Sequence, residues 1–213
     1  ITDNSGNGYN ATLTGFTYDW KETNMQWHNK NGWTGKSIQK FSTSNWIEIY
    51  DVPSLRSFTF DFVLRSKVPA PNAGLFSIRS SAVGDGYTLV TKSDKYLQFK
   101  RIRENSAKTF DLPICLDEKE QLIYITFVSE PVNANNTRYM IYSNGAKVFD
   151  EVDDYKAGWG AYPMCFGGDP KDTRALIMNL YSFNMYNRVL SENEIMQNYL
   201  FEKSLENSRR DIK

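Results

Sequence analysis

Histidine and cysteine are nearly missing from this 213-residue chain: His28 stands alone, and Cys115 and Cys165 are the only thiols. A zinc site needs several such ligands. A Ser-His-Asp or Cys-His catalytic group would depend wholly on His28, which sits in the polar run WHNKNGW. Two cysteines are far from a disulfide scaffold. Two buried free thiols or one Cys115–Cys165 bridge remain open, and the spacing excludes a CxxC metal site. Net charge is missing too, 25 basic side chains against 25 acidic, so no bulk field draws the chain to nucleic acid. No apolar run approaches the roughly 18 residues that cross a bilayer, and the mean hydropathy is -0.54, so no membrane insertion is expected. GDG and FGGD lack the remaining residues of a phosphate loop. The chain opens on Ile1 with no initiator Met and no leader, which reads as one domain of a longer protein.

Aromatic residues are plentiful, with 13 Tyr, 13 Phe and 5 Trp, which suits both a strand-built core and a sugar-stacking surface. The middle of the chain alternates apolar and polar residues, the period of half-buried strands. In SFTFDFVLRS, Phe58, Phe60, Phe62 and Leu64 share one face, with Thr59, Asp61 and Val63 on the other. FSTSNWIEIY, AGLFSIRSS, GYTLVTKSD, KYLQFKRIR, LIYITFVSE, RYMIYSNG, AKVFDEV, PMCFGGD and ALIMNLYSFNMYN continue the series. The Ser143–Gly145 run SNG predicts a tight hairpin turn. Some ten to twelve such strands predict two packed antiparallel sheets in a single all-β domain over residues 1–213. Helix is expected only at the end. Ser191 followed three residues later by Glu194 is a capping box; Ile195, Tyr199 and Leu200 give that helix an apolar side, and residues beyond Glu202 form a charged tail.

DNSGNG, Asp3 to Gly8, can be a tight loop, a set of oxygen ligands for a hard cation, or a fold signature. DNSGNGYNATLTGF at the start and ALIMNLYSFNMYNRVLSENEIMQNY at the close together resemble the opening and closing motifs of the concanavalin A-like, laminin G-like jelly rolls. The closing motif is carried by Tyr186, Asn187, Arg188, Leu190, Ser191, Glu194 and Ile195. Between them, GWTGKSIQKFSTSNWIEIYD departs from the family pattern by lacking its Gly-x-x-Asp-Tyr. The resemblance implies a two-sheet antiparallel jelly-roll sandwich with a short C-terminal helix. It also implies calcium as the cofactor to consider, close to Asp3. Asn179, the second candidate ligand, stands where relatives often carry an acidic residue and offers only a neutral oxygen, so a hydrogen-bonded loop without metal is the competing reading.

Several enzymes share this architecture, so carboxylate pairs matter. Retaining glucanases carry Glu-x-Asp-x-x-Glu on one strand, holding two carboxylates about 5 Å apart. EVDDYK, Glu151 to Lys156, ends in Lys instead, and Glu48 and Asp51 of WIEIYD have the wrong spacing; both read as solvated charged edges. A non-catalytic recognition module is the better expectation. Two stretches mix aromatics with polar partners as sugar recognition requires: YDWKETNMQWHNKNGW (Tyr18 to Trp33) and DDYKAGWGAYP (Asp153 to Pro163). The second supplies Trp159, Tyr162, Asp153 and Asp154 as ligand contacts. The basic strand FKRIR adds Arg101 and Arg103, with Lys100 on the opposite face. Large aromatics capping the ends of a sandwich are the structural alternative. The resemblance points to surface or secreted proteins and phage particles, hence to carbohydrate or a host cell surface as partner, to an extracellular or virion-surface location, and to neighbouring domains or subunits of a larger assembly. A carbohydrate-binding module of a bacterial extracellular enzyme or adhesin, and a purely structural protein-binding domain, are the alternatives.

Overall fold

The structure, a computed structural model, describes residues 6–14, 33–34, 37–39, 46–68, 71–79, 85–92, 95–103, 106–116, 122–158, 163–168 and 176–205. Among these, fourteen strands and one helix follow in order: β1 Ala11–Thr14, β2 Trp33–Thr34, β3 Ser37–Gln39, β4 Trp46–Ile49, β5 Phe58–Val68, β6 Gly74–Arg79, β7 Gly86–Thr91, β8 Tyr96–Arg103, β9 Ser106–Cys115, β10 Leu122–Pro131, β11 Thr137–Ser143, β12 Ala146–Asp153, β13 Met164–Phe166, β14 Ile177–Tyr186 and α1 Glu192–Ser204. They form two sheets, β1-β4-β13-β6-β7-β8-β9 and β12-β11-β10-β5-β14-β3-β2. The fold is an antiparallel jelly-roll sandwich, as the alternating strands and the end motifs imply.

The alternation in β5 sets the core. Phe58, Phe60, Phe62 and Leu64 are fully buried between the sheets, against Phe76, Phe127 and Phe166. Phe58 and Phe60 stack with centroids 4.4 Å apart, and Phe60 meets Phe76 edge-on, the arrangement favoured by ring quadrupoles. The Asn144–Gly145 turn has φ of 51° and 79°, so both central residues are left-handed, as the primed hairpin turns require. Gly86 opens β7 at φ 137°, where a Cβ would lie 2.0 Å from the Ile78 carbonyl oxygen; only glycine permits that approach.

The outer face of β5 corrects the half-buried reading. Thr59, Asp61 and Val63 are buried as well, because α1 lies across this sheet. Ile195 packs with Val128, Met140, Tyr142 and Leu190, while Val63 packs with Tyr124 and Tyr181, and Tyr199 lies against them. The Thr59 hydroxyl donates to the Arg188 carbonyl and accepts from the Leu190 amide, both at 3.0 Å. Asp61 accepts from the Thr126 hydroxyl at 2.8 Å and from the Asn198 amide at 3.1 Å. The predicted capping box is present in full at Ser191 and Glu194, and Arg188 reinforces it with two contacts to the Glu194 carboxylate. Leu200, expected on the inner side, is instead 53% exposed, since the inner positions are taken by Ile195, Asn198, Tyr199 and Glu202. Two further expectations change: both cysteines are free, but Cys115 is exposed and only Cys165 is buried.

Candidate functional site

At one rim of the sandwich the last residue of β12 meets the open edge of the other sheet, where β9 is the final strand. Leu97 and Phe99 of β8 point into the core, so Arg101, two residues on, points the same way at the rim. Lys108 of β9 is its cross-strand neighbour and shares that face. Both cations converge on Asp153: Arg101 Nε lies 2.8 Å from Oδ2, and Lys108 Nζ lies 2.7 Å from Oδ1. The Asp153 side chain has no exposed surface, against 11% for Arg101 and 46% for Lys108. Burial pushes the carboxyl upward, but the two cations outweigh it and hold Asp153 below the ordinary aspartate range. The Arg101 guanidinium also covers the Tyr155 ring at 4.7 Å, a cation–π contact on a largely desolvated face. Asp153 is therefore no solvated edge, which corrects the reading of EVDDYK at that residue; Glu151, Asp154 and Lys156 fit it, being exposed.

The chain that leaves this ion triad is fastened residue by residue. Thr137 of β11 donates its hydroxyl to the Tyr155 carbonyl at 2.7 Å and accepts from the Ala157 amide at 3.0 Å. Tyr87 of β7 accepts from the Gly158 amide at 3.0 Å and shares a 3.3 Å hydroxyl contact with Tyr139. Burial is the leading cause holding both phenols protonated far above their ordinary range, so both stay neutral at every physiological pH. Gly158 has φ 147°, a backbone conformation that glycine adopts without steric cost. The base of the DDYKAGWGAYP loop is thus tied to both sheets at Asp153, Tyr155, Ala157 and Gly158.

Of the sequence-predicted residues, Arg101 and Asp153 come together directly. Arg103 is exposed at the end of β8; burial first, then Asp85, pushes the Tyr155 phenol up, and Arg101 and Arg103 oppose that shift. Asp154 is exposed beside the triad. Lys100 lies on the opposite face from Arg101, as alternation requires. Trp159, Tyr162, Asp3 and His28 lie outside the described residues, as does nearly all of the Tyr18–Trp33 stretch. Asn179 is fully buried on the outer face of β14, its amide reaching the Tyr181 hydroxyl at 3.5 Å. Its companion in the calcium expectation, Asp3, lies outside the described residues; among the described residues no group of three or more His, Cys, Asp or Glu side chains could hold a metal ion.

The residues missed by sequence reasoning are Lys108, Thr137, Tyr87 and Tyr155. Lys108 carried a usable signal. In SAKTFDLPIC it stands at the period-2 positions of Phe110, Leu112 and Ile114, so an inward cation needs an inward carboxylate. Pro113 and Asp111 obscured β9 as a strand and hid that pattern.

No protein-family model matches the sequence, and no curated protein aligns with it. Solved structures do resemble it. The Ruminococcus gnavus IT-sialidase CBM40, bound to α2,3-sialyllactose, superposes with a TM-score of 0.59 at 13% identity, covering 77% of this chain and 96% of that one. The native heptameric SAP-like pentraxin of Limulus polyphemus gives 0.54 at 13% identity, over 88% and 81%. A botulinum neurotoxin type C structure, described for cell entry through two ganglioside molecules, gives 0.65 at 14% identity, over 94% of this chain and 48% of that one. What these share with the chain is the jelly-roll fold, and the chain spans about half of the toxin chain.

Proposed function

We propose that this domain is a non-catalytic recognition module, and that the Asp153–Pro163 loop carries its contact with cell-surface carbohydrate. The observation that carries the reading is the fastening of that loop's base by the Arg101–Asp153–Lys108 triad and by Thr137 and Tyr87. A recognition loop gains affinity when its ordering is completed before binding, and glycines on either side of Trp159 let an aromatic face approach a pyranose ring. Arg103 and Asp154, exposed beside the base, supply polar partners for hydroxyl or acidic groups. Asp153 has both oxygens committed to cations and serves as the anchor rather than as a ligand contact or a catalytic acid. The likeness to CBM40, whose structure holds α2,3-sialyllactose, supports the carbohydrate reading at the level of fold. The end motifs support a parent protein of the laminin G-like kind, a phage particle or a bacterial surface protein, working at the virion surface or outside the cell.

The test is a glycan array, run with calcium present, on the purified 213-residue chain. Binding to one glycan class is expected, falling at least tenfold in Trp159→Ala with the melting temperature unchanged. Intact binding in Trp159→Ala would sink the placement at this loop; a blank array with folded protein would sink the carbohydrate reading itself. A structural calcium near Asp3 would raise the melting temperature, so melting unmoved by EDTA removes the ion from the account.

A further inference from the structure

The outward face of α1 is built the wrong way round for a helix that ends at solvent. Ile195, Asn198, Tyr199 and Glu202 face the sheet, so two of the four inner positions are strongly polar. At 100° per residue, Asn193, Met196, Gln197, Leu200, Phe201 and Ser204 share one arc and all six are exposed, with Met196 at the edge of the arc, where its thioether reaches the Asn144–Gly145 turn. Met196, Leu200 and Phe201 are 39%, 53% and 63% exposed. None of the six is charged. Depletion of charge with Met and aromatic enrichment marks the centre of an interface.

The charges flank this arc in an ordered way. Glu192 at the helix start and Lys203 at its end lie on the same flank, 20° apart by the same arithmetic. When two copies of a helix pair antiparallel, each flank meets itself reversed. Glu192, whose Oε1 also meets Lys147 Nζ of its own chain at 2.9 Å while 68% of its side chain stays exposed, then faces Lys203 of the other copy, twice over, with Gln197 near the two-fold axis and Met196 against Leu200 of its mate. Opposed helix dipoles add to the same arrangement. We propose that α1 is a self-association surface through which two copies of this chain pair antiparallel about a two-fold axis. The contact is isologous and closes at two subunits. One helix of about 20 Å buries less than a standard interface, so pairing belongs at concentrations on the order of 100 µM.

Sedimentation of the 213-residue chain up to about 1 mM protein reads this directly. A reversible monomer–dimer equilibrium is expected, weakened at least tenfold by Leu200→Glu. Glu192→Lys and Lys203→Glu should each stay monomeric alone, through Lys–Lys or Glu–Glu opposition, yet associate when mixed, because the mixed pair restores both attractions. A monomer throughout the range, a dimer indifferent to Leu200→Glu, or two single variants that do not associate on mixing would each overturn the proposal. So would a marked drop in melting temperature for Leu200→Glu, which would mean that the patch is covered within its own chain.

Discussion

Asp153 and Asp61 are aspartates of nearly equal burial, 1% and 0% exposed, yet their carboxyls shift in opposite directions. Asp153, at the rim, meets a guanidinium and an ammonium and is held below the ordinary range. Asp61, beneath α1, is desolvated just as thoroughly but accepts only from neutral donors, the Thr126 hydroxyl and the Asn198 amide, with the Glu202 carboxylate close enough to repel it. Desolvation therefore wins at Asp61, and its pKa is raised. Depth alone does not decide what a buried carboxylate does; the charge of its partners does. The rim uses its aspartate as a charged rivet between two sheets. The helix seat uses its aspartate as an acceptor and tolerates it poorly as an anion.

Removing each carboxylate is the strongest way to break this comparison. Asp153→Ala leaves two cations facing each other at the rim, one of them largely buried, and should lower unfolding free energy by about 3 kcal/mol. Asp61→Asn keeps an acceptor for Thr126 and removes the repulsion with Glu202, so it should change stability by no more than about 1 kcal/mol. Chemical denaturation at pH 7 measures both. Equal losses would mean that the rim triad is no stronger an anchor than the helix seat.

Acid titration sharpens the contrast because the signs differ. A depressed folded pKa gives stability present above the unfolded value of about 3.9 and lost as pH falls through the lower folded value. Wild type should therefore lead Asp153→Asn at pH 7 and lose that lead progressively below about pH 4. A raised folded pKa works in reverse: stability is present with the group protonated and is lost as pH rises through the folded value. Wild type should gain on Asp61→Asn as the medium is acidified, from parity or worse at pH 7. Melting temperatures between pH 2.5 and 7 would show the two gaps moving in opposite directions, and parallel movement would defeat the assignment of partners.

The same two regions show what the sequence could reveal. Strands were legible wherever one residue type repeated every second position, as in β5, and turn chemistry fixed the Asn144–Gly145 hairpin and the start of α1. The rim triad was not legible as a unit, since Asp153 and Lys108 are 45 residues apart and meet only once both sheet edges are formed. Nor was the helix seat. Thr59 and Asp61 look solvent-facing until a helix more than a hundred residues later lies over them, and the polar seat residues Asn198 and Glu202 shift the helix phase away from the apolar side that Leu200 suggested.

The smallest expected effect lies at the entrance to α1, where the carboxylate is exposed and the comparison with Asp153 is most direct. Arg188, first among the causes, together with the Ser191 amide and hydroxyl, holds the Glu194 carboxyl down to about 2. This depression comes without burial, so solvent screens it and little stability follows. Ser191→Ala should cost about 1 kcal/mol, the usual worth of a lost cap, and Glu194→Gln less than that, because a glutamine can still accept from the Ser191 amide. Both losses should shrink in high salt far less than the Arg188–Glu194 attraction itself, since the cap is mainly a hydrogen bond to backbone. Thermal melts of the two variants at low and high ionic strength separate the contributions. A Glu194→Gln loss approaching that of Asp153→Ala would show that an exposed charged clamp can match a buried one, against the rule drawn from the two buried aspartates.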